Sequence, residues 1–205
     1  MKIKYVTLTG ADDHTDAAEM ASISEEYSFV EWGILFNQKS SPRAPSYDWV
    51  VDAIPALNEA KANLCAHLCG KWVNDAMAGN ITFLRDDISE TFGRIQLNMA
   101  NGRLQKVLNW ETNFWDCLKD RPIILGGPYK NLTIPTDKFM QCDIVPLFDC
   151  SGGRGVLPTE WPFPPINECG KPIFCGYAGG LGPNNIEEEL VRIESAVGNA
   201  NIWID

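Results

Sequence analysis

Eight short apolar runs, most of them rich in branched or aromatic residues, recur along the chain, with amphipathic stretches between several of them. The runs are "IKYVTLT" (3–9), "FVEWGILF" (29–36), "LCAHLC" (64–69), "RIQLN" (94–98), "PIILGG" (122–127), "DIVPLF" (143–148), "PIFCGY" (172–177) and "NIWID" (201–205). Strands separated by helices cannot pair as hairpins; they pair in parallel, through right-handed crossovers. Eight such units favour an α/β fold closed into a (β/α)8 TIM barrel over an open, doubly wound sheet. The whole chain, 1–205, then forms one domain, and the loops that follow the strands form the active face.

Four stretches carry helical patterning. "DDHTDAAEMASIS" opens with acidic residues suited to a helix N-terminus. "SYDWVVDAIPALNEA" has apolar positions at helical spacing, and Pro55 should kink or end it. "GRLQKVLNWETNFWDCLK" (102–119) reads as a longer helix. "NNIEEELVRIESAVG" combines asparagine caps, an acidic first turn, an apolar stripe and a terminal glycine. The barrel should be irregular in two places. Residues 149–171 are proline-rich and carry no helical pattern. The sequence also stops on the eighth strand, which implies a missing final helix and an apolar seam that a second copy of the chain would cover, giving a homo-oligomer.

The formal charge of −10 argues against nucleic-acid polymers and anionic membranes as partners. An anionic small molecule would therefore need a local positive site of backbone amides and a few arginines. No apolar run reaches membrane-spanning length, and the first residues lack the pattern of a signal peptide, so a cytoplasmic location is expected. The seven cysteines are odd in number and several sit in apolar runs, as expected of reduced, buried thiols. Cys65, His67 and Cys69 share one strand face, but no second ligand cluster accompanies them. Neither a metal nor another cofactor is expected. His67 reads as a satisfied packing residue and His14 as an exposed one.

Three segments follow strands at the active face: "NQKSSPR", "DCSGGRG" and "AGGLGPNN". Paired glycines let backbone approach a ligand and aim successive N–H groups at it, and "AGGLGPNN" leads straight into a helix N-terminus. Two such stretches on neighbouring loops point to a phosphate cradle at Gly152, Gly153, Gly155, Gly179, Gly180 and Gly182, although a tight turn would explain either one alone. Arg43 offers a planar fork for a carboxylate, or is a solvated loop residue. Asp149, ending the sixth strand, is a turn cap or, beside a phosphorylated substrate, a general acid or base.

These segments in series resemble phosphoribosylanthranilate isomerase, a barrel enzyme of tryptophan biosynthesis that performs an Amadori rearrangement. The resemblance runs through "TLTGADDHTDAAEM", "WGILFNQKSSPR", "IQLN", "LFDCSGGRG", "IFCGYAGGLGPNNI" and "IWID". It implies a general acid at Asp149, carboxylate binding at Arg43, and phosphate loops at Gly152 to Gly155 and Gly179 to Gly182. An ungapped alignment puts the family's base cysteine at Val6, a side chain that cannot move a proton. Asn98 stands where the family has histidine, and Arg154 replaces a small hydroxyl residue, adding positive charge near the phosphate. Ligand-holding features without the base imply a barrel that binds a phosphorylated, ribose- or nucleotide-like anion through Arg43, Asn98, Arg154 and the glycine loops. Two alternatives stand beside that reading. One is a working isomerase with Cys150, Asp12 or Asp13 as replacement base; the other is a scaffold whose barrel serves only as an interaction platform.

Overall fold

Eight parallel strands close on themselves in chain order, β1 pairing with both β2 and β8, as the alternation of apolar runs implies. They are β1 (Lys2–Thr9), β2 (Val30–Phe36), β3 (Asn63–Cys69), β4 (Arg94–Asn98), β5 (Ile123–Gly127), β6 (Ile144–Asp149), β7 (Cys175–Ala178) and β8 (Asn201–Ile204). The computed structural model describes residues 1–38, 43–77, 89–98, 121–127, 144–167 and 169–205. The chain thus adopts a TIM-barrel (β/α)8 fold. The helix expected at 102–119 lies outside the described residues.

Strand alternation sorts the core into an inside and an outside. Inside the barrel, Cys65, Ile124, Val145, Leu147, Ala178 and Trp203 pack together, flanked by Tyr5 and Phe174. Gly176 makes room for this packing: a Cβ there would lie 2.3 Å from Trp203 Cε2 and 2.7 Å from Leu147 Cδ1. Outside, helices α1 (Ala17–Glu26) and α2 (Tyr47–Glu59) seal one side against β2–β5 through Met20, Val50, Ala53, Ile54 and Leu57. A short helix, α3 (Lys71–Met77), follows β3 where no helical pattern was expected; it buries Val73 and Ala76. Helix α4 (Ile186–Val197) seals the other side through Ile193 and Val197, against Tyr177, Ile202 and Ile204.

Local chemistry sets the helix ends. Asp16 Oδ1 accepts from the amides of Ala18 and Glu19, and Ser46 Oγ accepts from the amide of Trp49. Pro55 neither ends nor interrupts α2. The acceptor it leaves idle is the carbonyl of Val51, a residue on the exposed face of the helix, where water can satisfy it while the buried face holds the helix. Strand β7 begins at Cys175 rather than at residue 172, because Pro172 forms an isolated antiparallel bridge with Ile166.

The five described cysteines are free thiols: Cys65 and Cys175 are buried and Cys69 partly so, as several were expected to be, whereas Cys150 and Cys169 are exposed. Among the described residues, no helix is long and apolar enough to cross a membrane.

Candidate functional site: the cup at the strand ends

The C-terminal ends of the strands enclose a cavity of about 700 Å³. Its wall and floor follow from strand parity. Thr9 comes from β1, His67 and Cys69 from β3, Gln96 and Asn98 from β4, Asp149 from β6, Ala178 from β7, and Asp205 directly follows β8. Arg43 and the two glycine loops complete the rim.

Asp149 lies in this cavity, but its carboxylate is already engaged by its own loop. Oδ1 accepts from the Ser151 amide at 2.9 Å and the Ser151 hydroxyl at 2.7 Å, and Oδ2 accepts from the Gly153 amide at 2.7 Å. The Ser151 hydroxyl in turn accepts from the amides of Arg154 and Gly155. Two of the N–H groups expected to face phosphate, those of Gly153 and Gly155, therefore close the turn instead. Among the described residues, the amides of Gly152 and Gly180 donate no hydrogen bond.

The seventh loop backs directly onto the sixth. A Cβ on Gly180 would lie 2.8 Å from the Leu157 amide nitrogen and 2.9 Å from the Gly155 carbonyl oxygen, and φ there is +72°. Steric fit and backbone conformation thus both demand glycine at this position. Gly182 does not reach the cavity. Its amide donates to Asn185 Oδ1, and the Asn185 side-chain amide donates to the Gly180 carbonyl, which shapes the entry to α4. Asn185 caps by bracing this turn rather than by accepting from the helix's own first amides. The first turn of α4 already carries Glu187, Glu188 and Glu189, which occupy the positive end of its dipole. Arg154 is exposed outside the cavity lining, its Nε donating to the Ser151 carbonyl.

Val6, the residue aligned with the family's base, faces away from the cup. It packs on the outer layer with Ile204 and the residues beneath α4, and pairs with Ile204 in the β1–β8 register. With Tyr5 deeper in the barrel, the barrel-side residues of β1 nearest the cup are Thr7, bonded to Glu31, and Thr9. Both carry hydroxyls and neither is a base at neutral pH.

Two further cavity residues were not expected to belong to a site. His67 is buried, and its Nε2 has no hydrogen-bond partner among the described residues, so it is not the satisfied packing residue expected. Its ring stacks over Gly33, where a Cβ would come within 2.7 Å of Cε1 and Nε2. Burial first, and the Arg94 charge second, push its pKa down to about 3, so the imidazole is neutral. Asp205 is half-buried on the cavity floor, beside the Gln96 side chain. Burial, then the Glu31 carboxylate, push its pKa up to about 7; Gln96 and Arg94 oppose the rise, and Asp149 adds slightly to it. The sequence carried a signal for Asp205, since "IWID" ends on aspartate just as "LFD" does.

Beneath the cup lies a buried ion pair. Arg94 Nε donates to Glu31 Oε2 at 2.7 Å and Nη2 to Oε1, with the two side chains 7% and 2% exposed. The guanidinium is sandwiched between Trp203 and Tyr5, at 4.4 and 4.9 Å from the ring centroids. Above it, Gln96 Nε2 donates to Asn98 Oδ1, and the Asn98 amide donates to Cys69 Sγ. Charged and amide groups thus run up the barrel axis from the ion pair to Asp205. Among the described residues, no group of three or more histidine, cysteine or acidic side chains is placed to hold a metal.

No family model and no curated protein matches the chain. Among solved structures it is similar to phospho-2-dehydro-3-deoxyheptonate aldolase (DAHP synthase) from Thermotoga maritima, with a TM-score of 0.54 and 13% identity. The match covers 98% of this chain and 59% of that one. At that identity the likeness is one of fold: the chain shares the closed eight-stranded barrel with DAHP synthase.

Proposed function

We propose that the chain binds a phosphorylated, ribose-containing or nucleotide-like anion in the cup and does not catalyse the isomerisation of tryptophan biosynthesis. The observation that carries this reading is convergence. Arg43, Asn98 and the glycine loops of β6 and β7, separated widely in sequence, line one cavity. Its volume of about 700 Å³ suits a ligand of nucleotide size. Arg43 supplies a cation at the rim, and the unengaged amides of Gly152 and Gly180 supply neutral donors.

The chemistry for turnover is weaker. Asp149 is held by three donors inside its own loop, Val6 faces outward, and β1 turns only hydroxyls inward. Losing a general base typically removes about 10²–10⁴ in rate. The aldolase likeness adds no substrate to this reading, since it rests on fold alone.

Calorimetric titration with ribose 5-phosphate and adenosine monophosphate tests the proposal. Binding is expected, weakened about tenfold or more by Arg43→Ala, as befits loss of a charge-assisted contact. Rapid turnover of phosphoribosylanthranilate, or no binding of either probe, would overturn it.

A further inference from the structure

The floor of the cup adds a condition that the rim does not. An anion entering this cavity meets Asp205, and two like charges close together inside a poorly solvated site repel strongly. We propose that Asp205 meets the bound anion as a neutral acid, its carboxyl O–H donating a hydrogen bond to a phosphate oxygen, so that ligand binding takes up a proton. This rests on the phosphate-binding reading above and names the group that contacts the ligand at the floor.

The geometry singles out Asp205 rather than Asp149. The Asp205 amide donates to the Tyr177 carbonyl at 3.0 Å, setting it just beyond β8 at the height of Ala178. Ala178 pairs with Asp149 across β6 and β7. The two residues therefore sit two strand spacings apart, roughly 9–10 Å between Cα atoms, with Ala178 on the strand between them. That gap admits a ligand group. Asp149 turns its oxygens to three donors of its own loop and stays an acceptor. The Asp205 carboxyl lines the cavity floor beside the Gln96 side chain, where a proton and a ligand oxygen can reach it.

The surrounding groups favour the neutral form on balance. Glu31 on β2 and Asp149 on β6 are negative; Arg94 on β4 is positive but committed to Glu31 through two hydrogen bonds. His67 on β3 is neutral, Cys69, Gln96 and Asn98 are uncharged polar neighbours, and β5 and β7 contribute Gly126, Gly127 and Ala178 to the lining. Among the described residues, Arg43 at the rim is the cation of the cavity lining. The pKa of about 7 for the Asp205 carboxyl agrees with this arrangement. The exchange is balanced: above pH 7 the carboxylate takes a proton from solvent when phosphate binds, and returns it on release.

The test is titration with ribose 5-phosphate between pH 6.5 and 8.5, run in Tris and in HEPES so that their different ionisation heats reveal proton uptake. Uptake approaching one proton per site at pH 8, with affinity falling about tenfold per pH unit above 7, is expected. Asp205→Asn keeps an N–H donor and cannot titrate, so it should bind with little pH dependence over that range. Should the variant fail to fold, carboxyl carbon-13 NMR of the unaltered protein answers instead: bound ligand must hold Asp205 protonated to higher pH. Binding without proton uptake at pH 8, or an unshifted carboxyl resonance on saturation, overturns this inference and leaves the phosphate-binding reading standing. Failure of ribose 5-phosphate to bind at any pH overturns both.

Discussion

Asp205 and His67 sit in one cavity with pKa values moved in opposite directions, so they should tilt folding stability against pH in opposite senses. The Asp205 carboxyl titrates near 7 in the fold and near 3.8 when unfolded. Between these values the native state holds a proton that the unfolded state has lost, so this group's contribution to stability falls as pH rises from about 4 to about 7. Each pH unit separating the folded and unfolded pKa values corresponds to about 1.4 kcal/mol. With partial exposure of the carboxyl screening the effect, about 2–4 kcal/mol should separate the two ends of that window. His67 titrates near 3 in the fold and near 6.5 when unfolded, so its contribution falls as pH drops from about 6.5 to about 3. The two slopes largely cancel between pH 4 and 6.5 in the unaltered protein. Asp205→Asn removes one of them. Urea unfolding at pH 4.5, 5.5, 6.5 and 8 should show the variant gaining on the unaltered protein as pH rises, then levelling off above 7. His67→Gln should show the opposite drift, gaining as pH falls. A stability difference between Asp205→Asn and the unaltered protein that stays constant from pH 4.5 to 8 would mean that Asp205 holds no extra proton in the fold.

The buried ion pair gives a second expectation. Arg94→Met leaves the Glu31 carboxylate buried with Thr7 as its remaining partner among the described residues, and should cost about 3–5 kcal/mol in chemical denaturation. The double variant Glu31→Met with Arg94→Met should recover much of that loss, because no buried charge is left uncompensated. Gly176→Ala sets a methyl group against the Trp203 ring and Leu147. About 1–3 kcal/mol of overpacking strain is expected, with a lowered thermal midpoint and altered near-ultraviolet dichroism from Trp203.

The strands were legible in the sequence because each is a short apolar run, and most are buried on both faces as parallel barrel strands are; β1, with Lys2 and Lys4 exposed, is the exception. Every expected run except the seventh matches its strand to within one residue at both ends. Pro172 displaced the start of β7 by forming a bridge elsewhere, an effect of tertiary context that a residue count along the chain does not reveal. Pro55 misled for a different reason: its cost depends on whether the carbonyl four residues back can reach water, and Val51 is exposed. The rim of the cup was legible too, since glycine pairs and Arg43 follow strands in order. Its floor was not. Gln96, His67 and Asp205 matter because strand parity and barrel closure aim them at one point, and a linear reading weighs each alone. Val6 shows the same limit, because an alignment assigns a position in the chain but the strand decides which face that position presents.

Loops six and seven have a mechanical consequence. With no room for even a methyl group between Gly180 and the backbone at Gly155 and Leu157, the seventh loop cannot move in against the sixth. Asp149, Ser151 and their amides tie the sixth loop to the strand end below it, and Asn185 ties the seventh to α4. The two glycine segments therefore form one stiff wall, anchored at both ends.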